Sequence, residues 1–209
     1  MGSSFLTAIN LGLGLYCVII FFKMLIQFGI PNHPARFTIY LVSLCVTSYF
    51  VMKSLTELNL INPFLFMRWR ALPIVAGSLG LLLQVITTVG HFSLIQQKII
   101  SRIPLMAALL FFAFFPDKAD IFFGMSVLTS VLFLTVSVGK SRYQKRMLLK
   151  MAFFLSLFWI CTLFNQFWLY IVGELFLFPA LFYFFIFQQS YGVSALVEGF
   201  TGHDSGVPS

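Results

Sequence analysis

Glu174 stands in Val172-Gly173-Glu174-Leu175-Phe176, a carboxylate inside a long apolar run. A charge in hydrocarbon costs about 3 kcal/mol on insertion scales, so such a residue must face protein or water and find a partner. Arg68, Arg70 and Lys53 are the candidate cations. Lys53 and Glu57 lie four residues apart, share a helix face and can pair with each other. Together Lys53, Glu57, Arg68, Arg70 and Glu174 are expected to form a charge cluster at the outer end of the molecule. Two roles fit it: an interfacial ion-pair network, or the mouth of a binding cavity where Glu174 serves as a proton, ion or partner contact.

A second group runs along one helix face. Gly77, Gly80, Gln84, Thr88 and His91 recur at spacings of three or four. Small residues let helices approach closely, and Gln and Thr can hydrogen-bond across the contact. The stripe predicts helix packing or, alternatively, a ligand or proton path ending at His91. A lone histidine makes no metal site and no second ligand stands at metal spacing, so no metal and no cofactor are expected. The stripes Ser43–Thr47–Ser54 and Ser126–Ser130–Ser137 predict packing contacts.

Catalytic chemistry finds little to work with. Ser78 sits in Ala76-Gly77-Ser78-Leu79-Gly80, but Ala76 stands where a nucleophile elbow needs glycine. A lipid enzyme would need His, Asp, Glu or Ser gathered at one depth, and two of the three histidines fall in a loop or the tail. The chain reads as a non-enzyme.

The elements that must position these groups follow from composition. The chain of 209 residues is 60% hydrophobic and only 9% charged, against roughly a quarter charged in soluble domains. So few charges cannot cover a water-facing surface. The mean hydropathy of +0.98 agrees with an integral membrane protein. Apolar runs such as 148–164 are continuous rather than alternating, which favours helices over a barrel. Cys17, Cys45 and Cys161 fall inside apolar runs and predict no disulfide. The 28 phenylalanines are read as lipid-facing bulk.

Seven spans are expected, as one all-α bundle over residues 1–188 with a flexible cytoplasmic tail at 189–209. They fall at about 5–28, 37–60, 71–92, 103–115, 121–138, 147–164 and 167–188, with breaks at Pro31 and Pro34, Asn62-Pro63, Pro116-Asp117 and Asn165-Gln166. Residues 96–102 read as a polar connection. The fourth span is short for a core of roughly 30 Å, so it either starts near Ile99 or dips in and returns. Asp117 or Asp120 can cap the next helix. Gly173 and Pro179 flank Glu174 as a weak sign of a discontinuous helix. No basic residue precedes the apolar run from Phe5, and Leu6 occupies the position where myristoylation requires Ser or Thr; neither a cleaved leader nor that lipid is expected.

Basic residues set the orientation. Loops 1, 3 and 5 carry Arg36, Lys98, Arg102, Lys140, Arg142, Lys145 and Arg146, whereas loops 2, 4 and 6 carry Arg68, Arg70 and Lys118. The bias places odd loops in the cytoplasm, the N-terminus outside and the C-terminus inside; size and compactness suggest a bacterial inner membrane. The net charge of +7 is then explained by topology and by anionic lipid at Lys140, Arg142, Lys145 and Arg146, not by nucleic acid. The expected function is a non-enzymatic subunit, adaptor or sensor working with other membrane protein subunits. The alternative is a small transporter or channel for a proton, ion or lipid, using Glu174 and the stripe from Gly77 to His91; a cavity reaching mid-membrane would favour it.

Overall fold

The computed structural model describes residues 2–29, 34–90, 92–136, 142–164 and 166–201, and these are helical almost throughout, with no strand among them. The helices are α1 (Gly2–Phe28), α2 (Pro34–Glu57), α3 (Pro63–Trp69), α4 (Ala71–Val89), α5 (Leu94–Ile100), α6 (Ile103–Phe114), α7 (Ala119–Val136), α8 (Arg142–Leu163) and α9 (Phe167–Thr201), with a 3₁₀ turn at Pro116–Lys118 before α7. Among the described residues, seven segments are long and apolar enough to cross a membrane; α3 with α4, and α5 with α6, each make one of them. The surface agrees with that reading. Ile26, Phe64, Trp168 and Leu163 are among many large apolar side chains left exposed, which a protein in water would bury.

Local chemistry sets the boundaries. Gly29 has a φ of 64° and donates its N–H to the Leu25 carbonyl at 3.0 Å, the left-handed closure that glycine adopts freely. Asn59 closes α2 with a φ of 58°, so this helix stops short of the expected Leu60. The Asn62 side chain accepts from the Phe64 N–H, and Pro63 fills the first turn of α3.

Three expectations need revision. The polar connection at 96–102 is largely α5. Ser93 and Gln96 form a reciprocal capping box that starts it, and the chain bends at Ser101-Arg102 before Pro104 opens α6. The basic loop is mostly helix: Arg142, Lys145 and Arg146 lie in the first two turns of α8, with Arg142 and Arg146 exposed, and Lys140 lies outside the described residues. Finally, α9 runs unbroken through Gly173 and Pro179 and past Gln188 to Thr201. No proline follows Pro179 within α9, and Gly192 and Gly199 each cost only about 1 kcal/mol in a helix.

Two groups of helices make up the bundle. In one, α1, α2, α8 and α9 pack together, with α8 lying along α9; in the other, α4 holds α6 and α7. The α2–α4 contact joins them, while α7 touches α8 only lightly. Small residues mark the tight crossings. At Gly173 an added Cβ would lie 3.1 Å from the Cys161 Cβ, which draws α8 onto α9. Ser43, Thr47 and Ser54 form the seam between α2 and α1, donating to the Met24 sulfur at 3.7 Å, the Cys17 carbonyl at 3.4 Å and the Asn10 carbonyl at 2.8 Å.

The α2–α4 crossing is the tightest. A Cβ on Gly80 would meet the Val42 Cγ2 at 2.4 Å, and the stiff β-branched valine cannot turn aside. Gly80→Ala is therefore expected to destabilise the protein by about 1–3 kcal/mol through overpacking. Gly124→Ala is the control: nothing lies within 4 Å of its new methyl group, and the change gains helix propensity. Thermal unfolding in detergent should lower the midpoint for the first and not the second. Equal midpoints would contradict the crossing.

Candidate functional site

Four charges converge where α2 ends, where α4 and α7 begin, and one to two turns into α9. Glu174, seven residues from the start of α9 and so about 10 Å along it, is fully buried. Its Oε1 accepts from the Lys53 ammonium at 2.6 Å, and Tyr170, one turn earlier on α9, lies within hydrogen-bonding reach of the carboxylate. Beside this pair the Arg70 guanidinium donates to Asp120 Oδ2 at 2.7 Å. Tyr49 lies in the field of Arg70, Asp120 and Glu174.

This arrangement sorts the candidate cations. Lys53 pairs with Glu174 across the α2–α9 contact rather than with Glu57 on its own helix. Glu57 is half-buried and has no ion partner among the described residues. Arg68 stays out of the ion pairs; its guanidinium carbon lies 5.5 Å from the centre of the Phe112 ring, tying α3 to α6. Asp120, which sequence reading places only as a helix cap, is instead the partner of Arg70.

Below these charges lies a cavity of about 360 Å³. Lys53, Arg70 and Asp120 line one end of it. Its body is apolar: α2 contributes Val42 and Phe50, α4 contributes Gly77 and Leu81, and α9 contributes Ala180 and Phe184. Lys53 and Val42 are eleven residues apart on α2, so the cavity extends about 16 Å along that helix, half of a hydrocarbon core of roughly 30 Å. On the side where α8 meets α7 only lightly, the wall includes Phe123 and the exposed Trp159, which brings the cavity to the flank of the bundle. Among small-molecule sites of about 300–1,000 Å³ this is a modest one.

The floor is polar. Gln84 lies one turn beyond Leu81 and Gln188 one turn beyond Phe184, and the two side chains exchange hydrogen bonds at 2.8 and 2.9 Å with both residues fully buried. One turn further, the Thr87 and Tyr191 hydroxyls lie 3.0 Å apart. Past this double contact is a crevice of about 10 Å³, room for about one water molecule, touched by Thr38, Gln84, Thr87 and Ser101. Gln84 touches this crevice and stands one turn beyond the Leu81 end of the large cavity.

The expected stripe on α4 divides in use. Gly77 and Gly80 pack on α2, and Gln84 reaches α9. Thr88 turns its hydroxyl back to the Val85 carbonyl at 2.7 Å, and Thr87 makes the cross-helix contact instead. His91 lies outside the described residues. Ser126 and Ser130 are buried and bond to carbonyls of their own helix. Among the described residues no three His, Cys, Asp or Glu side chains are grouped as a metal site.

The arrangement can hold a molecule with a polar end and an apolar body. It offers no nucleophile with an adjacent base. Ser78 lines the cavity, but its hydroxyl is bonded to the Ile74 carbonyl. The chain matches no family model, no curated protein and no solved structure, so the reading of this site rests on its own geometry.

Proposed function

We propose that this chain is a small carrier for an amphipathic molecule, working as a multi-pass protein of a bacterial cytoplasmic membrane. The observation that carries the reading is the cavity: charged at one end, apolar for about 16 Å, and reaching the flank of the bundle between α7 and α8. An adaptor or subunit that works only through its surface needs no such interior space, whereas a carrier, or a sensor of a small ligand, does. The bias of basic residues toward loops 1, 3 and 5 supports a cytoplasmic side for those loops, with the N-terminus outside and the charged mouth in the outer half of the membrane.

In this reading the molecule enters sideways from the lipid, places its polar end against Lys53, Arg70 and Asp120, and lays its chain along α2, α4 and α9. The Gln84–Gln188 and Thr87–Tyr191 contacts close the path below it. A carrier needs a closure of this kind between an occupied cavity and the opposite side, and hydrogen bonds between neutral side chains can open without leaving a charge stranded. Carriers built from discontinuous helices are common, but here the closure rests on side chains of continuous helices.

Proteoliposomes test the reading. A single-chain phospholipid labelled with NBD on its acyl chain should cross between leaflets faster in vesicles holding the protein than in empty ones, read by fluorescence protected from dithionite. Ala180→Trp, which fills the cavity, should return the rate to that of empty vesicles. If wild-type protein moves the probe no faster than empty vesicles do, carriage is wrong.

A further inference from the structure

We infer that the polar end of the molecule held in this cavity is an anion, a phosphate or a carboxylate, taken jointly by Lys53 and Arg70. The inference rests on the cavity being a binding site for an amphiphile and adds the class of head group. It follows from counting donors and acceptors on the wall. A lysine ammonium carries three N–H groups and an arginine guanidinium five. Lys53 gives one to Glu174, and Arg70 gives one to Asp120. The Arg70 Nε is buried and has no partner among the described residues. Both cations line the cavity, and each carries more N–H groups than its single ion pair uses.

Acceptors there are few. Glu174 does not line the cavity; it lies behind Lys53 and is fully buried. Asp120 is the one carboxylate on the wall, against two cations. A cationic head would meet Lys53 and Arg70 with only Asp120 to offset them. A neutral alcohol head brings acceptor lone pairs but no charge to set against two cations. Phosphate and carboxylate oxygens bring acceptors and charge together, and the planar guanidinium can take two of them at once.

The ligand need not break the buried pair. Lys53 can keep one N–H on Glu174 while the others turn to the ligand. The Arg70–Asp120 pair is the adjustable one, because the Asp120 side chain is 40% exposed and can turn to water as the anion arrives. Glu174 thus holds Lys53 in position and draws down its charge. Glu174→Gln should therefore preserve or tighten anion binding, whereas loss of either cation should weaken it.

Native mass spectrometry of the full-length protein in a neutral detergent provides the test, with four probes of equal chain length: hexadecyl phosphate, palmitate, monopalmitoylglycerol and hexadecyltrimethylammonium. At least one of the two anions should bind about tenfold or more tightly than monopalmitoylglycerol, and which of them does so identifies the head as phosphate or carboxylate. Arg70→Gln and the double variant Lys53→Met, Glu174→Gln should each bring anion binding down to the level of monopalmitoylglycerol in the same variant. The double variant strands no lone buried charge, so a folding failure does not decide the result. If monopalmitoylglycerol or the cation binds as tightly as the anions, and Ala180→Trp blocks them all, the cavity reading survives and the anion inference is overturned. If no probe binds, both fall.

Discussion

Lys53→Met should lower the free energy of unfolding by about 3–5 kcal/mol, the cost of leaving a buried charge without its partner. Glu174 is fully buried, Lys53 at 2.6 Å is its ion partner, and the neutral Tyr170 hydroxyl beside it cannot replace that charge. Glu174→Gln should cost less, because Lys53 retains some exposure and can reach water or lipid head groups by extending its stem. The double variant Lys53→Met, Glu174→Gln removes both charges at once and should recover most of the loss, since a neutral pair of similar volume needs no desolvation of ions. Reversible unfolding in mixed micelles gives the three free energies. Strong non-additivity is expected. Losses that simply add would mean the two side chains do not act as a pair. The Arg70–Asp120 pair is the contrast: more exposed, and therefore worth about 1 kcal/mol or less.

Ala180→Trp should abolish occupancy of the cavity while leaving the fold intact. Ala180 is 2% exposed and lies on the cavity wall in α9, between Leu177 and Phe184. Ala180 borders the cavity, so an indole there has that space to enter and the usual overpacking cost of about 1–3 kcal/mol should be reduced. Wild-type protein taken from its native membrane in mild detergent should carry one non-covalent adduct with the mass of a membrane amphiphile, and Ala180→Trp should emerge bare with a similar unfolding midpoint. An adduct retained by the tryptophan variant would place the bound molecule elsewhere on the protein. A bare variant with a collapsed midpoint would show instead that the space is too small to hold an indole.

Seven spans were legible because continuous apolar runs broken by proline and Asn-Gln leave little choice of element. The partner of Glu174 was narrowed to three cations by charge alone, and choosing Lys53 required the facing of α2 and α9, which no local pattern encodes. Gln188 was missed because it ends an apolar run and reads as a boundary. Its meeting with Gln84 spans 104 residues of chain and depends on the register of α4 against α9. Asp120 was missed for a related reason, since an aspartate in a first turn looks like a helix-terminal residue until the neighbouring helix brings Arg70 to it. α5 carried a signal that went unused: Ser93 followed three residues later by Gln96 is a capping box, overlooked because the segment after it is polar. The cavity had no signature at all. Its wall is made of ordinary apolar residues, and it exists because α8 follows α9 instead of closing on α4.

The central claim is that the space between α2, α4, α8 and α9 holds an amphipathic molecule, and a photoreactive side chain inside it asks this most directly. Phe184 lines the cavity and is 5% exposed, while Phe182, two residues away on the same helix, is 49% exposed. With p-benzoylphenylalanine at position 184, irradiation in native membranes should attach one defined amphiphile, saturably and in competition with added unlabelled molecule. The same residue at position 182 should label a non-saturable mixture of bulk lipid. If position 184 cross-links only to neighbouring helices, or gives the same lipid mixture as position 182, the cavity is not a binding site and the proposed function is wrong.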